Sequence, residues 1–319
     1  MMLLERLSLS VLIASALFIL QGCAAMKRTP PPIVTIHDVS GRFWIGQIVD
    51  LRVGKAVTFD ELIEHISSVE LIFLGEVHDN PEHHLVQVQV LQALAACCAP
   101  VDLAMEAFQK SMQDSIDGYL QGEMSEAEFL DIIDWKTSWG YDYHLYRPLL
   151  LWAKENASRI LAVNAPIAVV RKVARKGLEG LEPAERRTIA AEIDLDQSAH
   201  REYLRRAYDK HRHNELDSFD HFYEAQCVWE ETMAENISNY LEDGENKLVV
   251  IAGNGHLVNK YGIPDRTRKR LQRSMITILP YPIHGQEIIE RGVADYIWLT
   301  PESPRRFSFF HGMKRPNND

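Results

Sequence analysis

The sequence predicts an α/β fold: a mainly parallel sheet flanked by helices, with a large helical insertion over the carboxyl edge of the sheet. Short apolar runs such as VELIFL at 69–74 and KLVVIA at 247–252 are typical of strands buried on both faces. These runs alternate with segments of helical pattern, which favours parallel strands joined by helical crossovers. Residues 182–243 are almost wholly helical in pattern and dense in charge, and this block predicts the insertion.

The predicted elements follow one another along most of the chain. Pro81 opens the helix that follows the strand at 69–74, because proline is tolerated in a first helical turn. The predicted strands are 43–53, 69–74, 101–105, 160–163, 247–252, 275–279 and 296–299. Besides the helical block, the predicted helices are 59–66, 81–97, 110–121, 125–131, 143–156, 166–175 and 264–273.

The first residues have the pattern of an export signal. The apolar run at 7–20 is shorter than a membrane-spanning helix needs and fits the apolar core of a signal peptide. It closes with LQGC, and a small residue directly before Cys23 resembles the cleavage and lipidation motif of bacterial lipoproteins. The alternatives are a plain secretory signal and an uncleaved anchor.

Lipidation at Cys23 predicts the location of the protein. Several acyl chains, diacylglycerol and palmitate, anchor a protein stably where one chain does so marginally. Because Ala24 and not an aspartate follows the cysteine, we expect the outer membrane of a bacterial cell envelope. The predicted divisions are a signal peptide at 1–22, a lipidated N-terminus and tether at 23–42, one domain at 43–300 and a C-terminal tail at 301–319.

Charge and cysteine content exclude some classes of partner. The formal net charge is -11, and nucleic acid as a partner is disfavoured because it requires a basic face. Beyond Cys23 the cysteines are Cys97, Cys98 and Cys227. Neighbouring cysteines rarely pair, so we expect structural thiols at a buried helix end and not a disulfide framework.

Polar residues follow three of the predicted strands directly. The strand at 69–74 leads into Glu76 and His78 in the motif GEVH, the strand at 101–105 leads into Glu106, and the strand at 247–252 leads into His256 in GNGH. Since the carboxyl ends of parallel strands share one edge, these four side chains are expected to converge. They could act as catalytic acid and base groups, or His78, Glu106 and His256 could bind a divalent metal. Singly, each could also cap a helix or bond loop backbone.

These motifs resemble a known superfamily. The two Gly-x-x-His motifs with a glutamate on the strand between them look like the superfamily that joins Tiki proteases, erythromycin esterases and ChaN-type haem-binding proteins. The finer pattern is similar to ChaN: LIFLGEVHDNPEHHLVQVQVLQAL, AMEAFQ, WGYDYHLYRPLL, VNAP, FYEAQCVWEETMAENI and VVIAGNGHLVNKYGIP occur in the same order. The resemblance runs from about 43 to 282, which identifies 43–300 as a ChaN-like haem-binding domain.

The resemblance implies a cofactor and a set of partners. ChaN-type proteins are iron-regulated bacterial lipoproteins implicated in haem uptake, in which haem lies between two protomers. One tyrosine ligates the iron, while a histidine and a lysine of the other protomer bind the propionates. The implied partners are haem, a second copy of the chain and an outer-membrane haem receptor.

The sequence offers several residues for these roles. Each tyrosine could instead pack in the core, and the lysine could be a solvated charge on a helix. The tyrosine candidates are Tyr146, Tyr261 and Tyr223 in that order, Tyr146 belonging to a cluster with Tyr141 and Tyr143. Lys172 is the lysine candidate, and His84 joins His78 and His256 as an alternative iron ligand.

Three functions therefore remain open from the sequence. The first is a membrane-anchored haem-binding lipoprotein in haem and iron acquisition, without turnover. The alternative is a metal-dependent hydrolase that uses the GEVH, Glu106 and GNGH residues. A third is an envelope scaffold with a vestigial site. The ChaN-like pattern favours haem binding.

Overall fold

The protein is represented by a computed structural model that describes residues 33–98, 100–210, 218–244 and 246–303. Its strands are β1 (Ile33–Ile36), β2 (Phe43–Trp44), β3 (Ile48–Asp50), β4 (Lys55–Val57), β5 (Leu71–Glu76), β6 (Val101–Gln109), β7 (Ile160–Asn164), β8 (Lys247–Gly253), β9 (Met275–Ile283), β10 (Gln286–Ile289) and β11 (Tyr296–Pro301). Its α-helices are α1 (Phe59–Ile66), α2 (Pro81–Cys98), α3 (Gln113–Gln121), α4 (Glu126–Ile132), α5 (Trp135–Ser138), α6 (Tyr143–Glu155), α7 (Ile167–Lys176), α8 (Pro183–Arg186), α9 (Ser198–Lys210), α10 (Phe219–Asp243) and α11 (Ile263–Arg270).

The central sheet has eight strands in the order β4-β3-β11-β9-β5-β8-β6-β7. Every neighbouring pair from β11 to β7 is parallel, and only β3 with its partners β11 and β4 is antiparallel within this described sheet. Strand β8 lies between β5 and β6 in the sheet, although both of these strands come earlier in the chain. The α/β fold with a mainly parallel sheet is therefore confirmed.

Both faces of the sheet are covered by helices. Side chains alternate between faces along β5, so that Ile72 belongs to the core under α2 and α6, while Phe73 belongs to the core on the opposite face. On that opposite face α10 packs through Met233 and Ile237. This two-sided burial explains why the strands read as continuous apolar runs.

The predicted helical block forms α8, α9 and α10. The first half of α10 packs against α7, where Val228 meets Val170, and against α9, where Phe222 meets Leu204. At the carboxyl edge of the sheet, α9 contributes Tyr203 and the first half of α10 contributes Trp229. The insertion thus covers part of that edge, as predicted, and the second half of its long helix lies on a face of the sheet.

A second, three-stranded sheet has the order β10-β1-β2. Its strand β1 falls inside the stretch at 23–42 that the sequence suggested as a lipidated N-terminus and tether. The strand predicted at 43–53 is divided into β2 and β3, because a turn at Gly46 with positive φ separates them. Cys23, the signal at 1–22 and most of the tail at 301–319 lie outside the described residues.

The cysteines differ in part from expectation. Cys97 and Cys98 are joined by a disulfide between adjacent residues, so the prediction of two thiols is wrong for this pair. They also lie at the end of α2 where the helix leaves the core, Cys97 being exposed and Cys98 half-buried. Cys227 is free and buried, as predicted. No helix in the described ranges has the length and apolarity to cross a membrane.

Candidate functional site

Strands β5, β6 and β8 bring the three predicted motifs together. β5 ends at Glu76, which is in register with Gly253 at the end of β8. The N–H of Gly253 donates to Oε2 of Glu106 on β6 over 2.7 Å. A Cβ on Gly253 would lie 2.8 Å from Cε1 of His78, so glycine is needed for the imidazole to pack against the strand. His78, Glu106 and the start of GNGH therefore meet at the carboxyl edge.

Glu76 is the centre of a buried hydrogen-bond network. Its Oε1 accepts from Nδ1 of His78 at 2.7 Å and from the hydroxyl of Tyr146 at 2.5 Å. Its Oε2 accepts from Nε2 of Gln87 at 2.7 Å, and Nδ1 of His84 lies 3.7 Å away. Burial alone would raise the pKa of Glu76, but the imidazoles of His84 and His78 lower it to about 2. The carboxyl group is therefore an ionised acceptor at neutral pH.

His78 is held by two carboxylates. Burial favours the neutral imidazole, but the hydrogen bond to Glu76 and the charge of Glu106 raise the pKa of His78 above its ordinary value. Its ring lies 4.8 Å from the rings of Trp139 and Tyr141, measured between centroids. Glu76 thus fixes the orientation of an imidazole that is enclosed by aromatic side chains.

The second imidazole, His256, lies between two other carboxylates. Its Nε2 is 3.4 Å from Oε1 of Glu106, and its Nδ1 is 3.2 Å from Oε1 of Glu230. Burial would lower the pKa of His256, but the charges of Glu106 and Glu230 raise it to about 10. His256 is therefore an imidazolium at neutral pH, with both ring nitrogens directed at carboxylates.

Behind His256 lies a buried ionic cluster that the sequence did not indicate as a site. Nε of Arg266 donates to Oε2 of Glu230 at 3.2 Å, and Arg266 also pairs with Glu231. His200 completes the cluster, with Nε2 3.5 Å from Oε2 of Glu230. Burial would raise the pKa of Glu230, but its neighbours His200, His256 and Arg266 lower it. A signal for this cluster was present in the sequence: Cys227, Glu230 and Ala234 have the spacing of one helix face, and that face is buried, so Glu230 could be expected to lie inside the protein.

The GEVH motif, Glu106 and the GNGH motif line a cavity of about 390 Å³. Its floor is formed by His78, Glu106 and His256 at the sheet edge. Its walls combine aromatic rings with cationic side chains, from the segment around α5 on one side and from α7, α9 and α10 on the other. The wall residues with a bearing on ligand binding are Lys136, Trp139, Tyr141, Arg171, Tyr203 and Trp229.

The predicted tyrosine candidates do not line this cavity. Tyr146 is buried and donates to Glu76, and Tyr223 is buried with its hydroxyl 3.4 Å from the carbonyl oxygen of Gln197. Tyr261 is half-buried, and its ring centroid lies 6.3 Å from that of Tyr203. The tyrosines at the cavity wall are instead Tyr141 and Tyr203. The sequence could not show which of Tyr141 and Tyr146 faces the cavity. Tyr141 precedes the start of α6 and Tyr146 lies within it, so their relative directions do not follow from their spacing.

The predicted lysine and third histidine also lie away from the cavity wall. Nζ of Lys172 is 2.5 Å from Oε2 of Glu185 in an ion pair between α7 and α8. The neighbouring residue Arg171 lines the cavity in its place. His84 is buried, and its Nε2 lies 3.1 Å from the carbonyl oxygen of His78, so it supports the loop that carries His78.

The predicted divalent-metal site is not formed in the described part of the chain. There, no three or more His, Cys, Asp and Glu side chains are arranged to hold a metal ion. Nδ1 of His78 faces Glu76 instead, and the two ring nitrogens of His256 face Glu106 and Glu230. Their arrangement suits proton transfer and the orientation of a bound molecule.

The donor set of the cavity fits haem. Flat aromatic rings suit a macrocycle, a phenol suits ferric iron, and lysine and arginine suit propionate carboxylates. Tyr141 supplies the phenol, Trp139 beside it and Trp229 on the opposite wall supply flat rings, and Lys136 and Arg171 supply the cations.

The fold and the site define a parallel α/β protein with a ligand cavity at the carboxyl edge of its sheet, and comparison with known proteins identifies the family. A family model described as "Haem-binding uptake, Tiki superfamily, ChaN" matches residues 62–267. The chain therefore belongs to the ChaN family of the Tiki superfamily, as the sequence motifs indicated.

Two individual proteins illustrate the relationship. The chain shares its fold with ChaN of Campylobacter jejuni, whose structure is described as cofacial haem binding: the TM-score is 0.62 at 19% identity, covering 83% of this chain and 98% of that one. It is also 25% identical over 264 residues to protein RETICULATA-RELATED 5, chloroplastic, of Arabidopsis thaliana. That match covers 76% of this chain but 35% of the plant protein, so the chain spans about a third of its length.

Proposed function

We propose that this protein binds ferric haem in the cavity at the sheet edge and, anchored by lipid at Cys23 in a bacterial cell envelope, takes part in haem and iron acquisition. One observation carries the proposal: a single cavity combines a phenol, Tyr141, with aromatic walls and with the cations Lys136 and Arg171. Membership of a haem-binding uptake family supports it. Haem would supply an iron centre able to take a phenolate ligand.

Tyr141 is the proposed iron ligand. Burial raises the pKa of Tyr141, and the nearby carboxylates Glu106, Asp79 and Glu76 raise it further. The same carboxylates favour a cation at this position, since a positive charge beside them compensates their burial. Ferric iron at the phenol would therefore meet a favourable field. Tyr146 is less suited, because it does not line the cavity and its hydroxyl donates to Glu76 inside the protein.

Arg171 and Lys136 are the proposed partners of the propionates. Arginine binds carboxylates through two parallel N–H donors, and lysine provides an exposed point charge at the cavity rim. Lys172 is less suited, because its ammonium is paired with Glu185. The family resemblance further suggests that two protomers share the bound haem, and we include a homodimer in the proposal.

The anchor and the partners rest on sequence. The LQGC motif at Cys23 supports lipidation, and Ala24 supports the outer membrane. A protein at that surface could receive haem from an outer-membrane receptor. These elements complete the proposed role as a lipid-anchored haem carrier.

A hemin titration followed by absorbance tests the proposal. The chain lacking residues 1–22 is expected to give a five-coordinate, phenolate-ligated ferric spectrum. Tyr141→Phe removes only the donor oxygen, so this spectrum is expected to be lost and the affinity to fall at least about tenfold. Tyr146→Phe and Tyr223→Phe are the matched controls, because neither hydroxyl faces the cavity, and both should retain the spectrum.

Two outcomes would contradict this assignment. If Tyr141→Phe kept the wild-type spectrum and Tyr203→Phe lost it, the ligand would be Tyr203 on the opposite wall. If the wild type bound hemin no better than an unrelated acidic protein, the haem function itself would be wrong.

Hydrolysis is the second candidate function. It rests on the two pairs of imidazole and carboxylate at the cavity floor, Glu76 with His78 and Glu106 with His256. In this function the imidazoles would transfer protons while the carboxylates hold them in position. Hydrolysis of ester or peptide substrates by the wild type, with or without added divalent metal, and its loss in His78→Asn, would favour this function over haem binding.

A further inference from the structure

The three-stranded sheet has one face turned away from the core. Along β1, Val34 and Ile36 are buried, while Ile33 and Thr35 alternate with them on the other face. We call the face that carries Ile33 and Thr35 the outer face. The inner face packs on β3, β9 and β11, so only the outer face is open to a partner.

The outer face exposes large apolar side chains. Trp44 is paired with Ile33 and is 53% exposed, and Ile288 is paired with Thr35 and is 75% exposed. Among the described residues, Ile288 is the most exposed large hydrophobic side chain. Exposed apolar groups gathered on one surface indicate an interaction site, because burying them in a partner is favourable.

The position of this face in the chain indicates which partner covers it. Cys23, the proposed lipidated residue, precedes Ile33 by ten residues (33 − 23). A segment of this length spans at most about 35 Å. A lipid attached at Cys23 therefore keeps the three-stranded sheet, of which Ile33 is the first described residue, within reach of the bilayer surface.

The charges near this face are suited to anionic lipid. Arg42 is exposed and stands two residues before Trp44. The segment that links Cys23 to β1 contains Lys27 and Arg28. The acidic residues Asp38 and Glu290 stand at the far end of the sheet, just after β1 and β10 end, and can remain in water. Basic side chains beside an indole are typical of segments that lie at a membrane interface.

We propose that the outer face of the three-stranded sheet docks on an anionic lipid bilayer beside the anchor. Trp44, Ile33 and Ile288 enter the boundary between headgroups and acyl chains, and Arg42 lies at the headgroup phosphates. The inference rests on the lipid anchor of the proposed function and is independent of haem binding. Docking would hold the anchored domain in one orientation at the membrane, so that it would not rotate freely on its tether.

Quenching by brominated lipids tests this contact. The full chain, lipidated during expression, is reconstituted in vesicles of phosphatidylethanolamine and phosphatidylglycerol with or without brominated acyl chains. Bromine is expected to quench part of the tryptophan fluorescence of the wild type, and this part should disappear in Trp44→Phe. Trp298→Phe, which alters a half-buried indole of the central sheet, is the matched control and should keep the quenching. Equal quenching in wild type and Trp44→Phe would overturn the proposal.

Vesicle flotation of the mature chain carrying Cys23→Ser gives a second test that needs no anchor. Replacing Trp44 and Ile288 together by serine is expected to weaken binding to phosphatidylglycerol vesicles at least about tenfold, because two large apolar side chains leave the lipid. The control pair Leu85→Ser with Ile132→Ser removes side chains of similar exposure, 55% and 59%, from elsewhere, and binding should not change.

The remaining outcomes are separable. Equal weakening in the two double variants, or none in either, would overturn the docking surface. So would a dimer of the wild type that the Trp44 and Ile288 variant converts to monomer without loss of vesicle binding, since a second copy would then cover this face. The hemin titration is expected to be the same for Trp44→Phe and wild type, so failure of haem binding cannot be mistaken for failure of docking.

Discussion

At the scale of single residues, Glu230 determines how His256 is held. The carboxylate accepts from His256 on one side and from Arg266 on the other, and all three side chains are buried. A buried ion pair is costly to break, because the remaining charge loses its partner in a medium of low dielectric constant. His256 can present an imidazolium at the cavity floor because this cluster balances its charge.

Glu230→Gln keeps the shape of the side chain and removes its charge. We expect the free energy of unfolding to fall by about 2–5 kcal/mol, since Arg266 and His256 lose the anion between them. Chemical denaturation monitored by circular dichroism measures the change. Glu235→Gln on the same helix is the control: its half-buried carboxylate accepts from the backbone of Ala191, and we expect a change within about 0.5 kcal/mol. Equal stability of both variants would show that the cluster does not hold His256.

At the scale of elements, the junction of β5 with β8 and β9 depends on Gly75. A Cβ at this position would overlap the side-chain oxygen of Asn254 and would lie 2.8 Å from Cδ2 of Leu279. The absence of that Cβ allows Asn254 to donate to the carbonyl oxygen of Pro280 at 2.8 Å and so to fix the start of the GNGH segment. Gly75 lies within the strand and is required for the close approach of these side chains.

Gly75→Ala is therefore expected to destabilise the protein. Overpacking at a buried junction typically costs about 1–3 kcal/mol, and we expect a loss of stability in this range. Gly292→Ala is the control, because a Cβ there meets nothing within 4 Å and the backbone is not in the left-handed region. Thermal or denaturant unfolding of the two variants decides the point; an unchanged stability of Gly75→Ala would contradict the close packing.

The start of α2 depends on a neutral histidine. Nδ1 of His83 accepts from the N–H of Val77 at 2.7 Å, and its Nε2 bonds Oγ1 of Thr300 at 2.9 Å. Burial lowers the pKa of His83 from 6.5 to about 3. Because the unfolded chain binds this proton more readily, the stability contribution is complete above the unfolded pKa and is lost as the pH falls below it.

His83→Asn should therefore flatten the pH dependence of stability. Asparagine keeps an acceptor for Val77 but does not titrate in this range. Between pH 6.5 and about 3, the wild type should lose up to about 1.4 kcal/mol per pH unit more than the variant. Urea denaturation at a series of pH values measures both slopes, and parallel slopes would contradict a neutral, buried His83.

At the scale of the whole molecule, the sequence predicted the elements that carry long apolar runs. Strands β5, β6, β7 and β8 and the long helices appear close to their predicted bounds, because burial on two faces leaves a strong pattern. Strands β1 and β10 have four residues each and are separated by more than 250 residues in the sequence. No local pattern therefore predicts them.

The site was predictable in part for the same reason. Glu76 ends β5, Glu106 lies near the end of β6 and His256 stands three residues after β8, and the parallel topology brings them to one edge. The residues that the sequence missed, Arg171 and Glu230, stand on helices whose phase relative to the cavity is set by tertiary packing. The resemblance implied a lysine and so led to Lys172; the sequence could not show that Arg171 faces the cavity, because adjacent residues of a helix point about 100° apart.

The most direct test of the central claim is a crystal structure of the protein with hemin, measured at the iron absorption edge. The anomalous signal locates iron without reference to any assumed ligand. We expect one strong peak inside the cavity above β5, β6 and β8, next to the hydroxyl of Tyr141, with the macrocycle between Trp139 and the wall that carries Trp229. An iron peak outside this cavity, or hemin bound with Tyr141 unliganded, would contradict it.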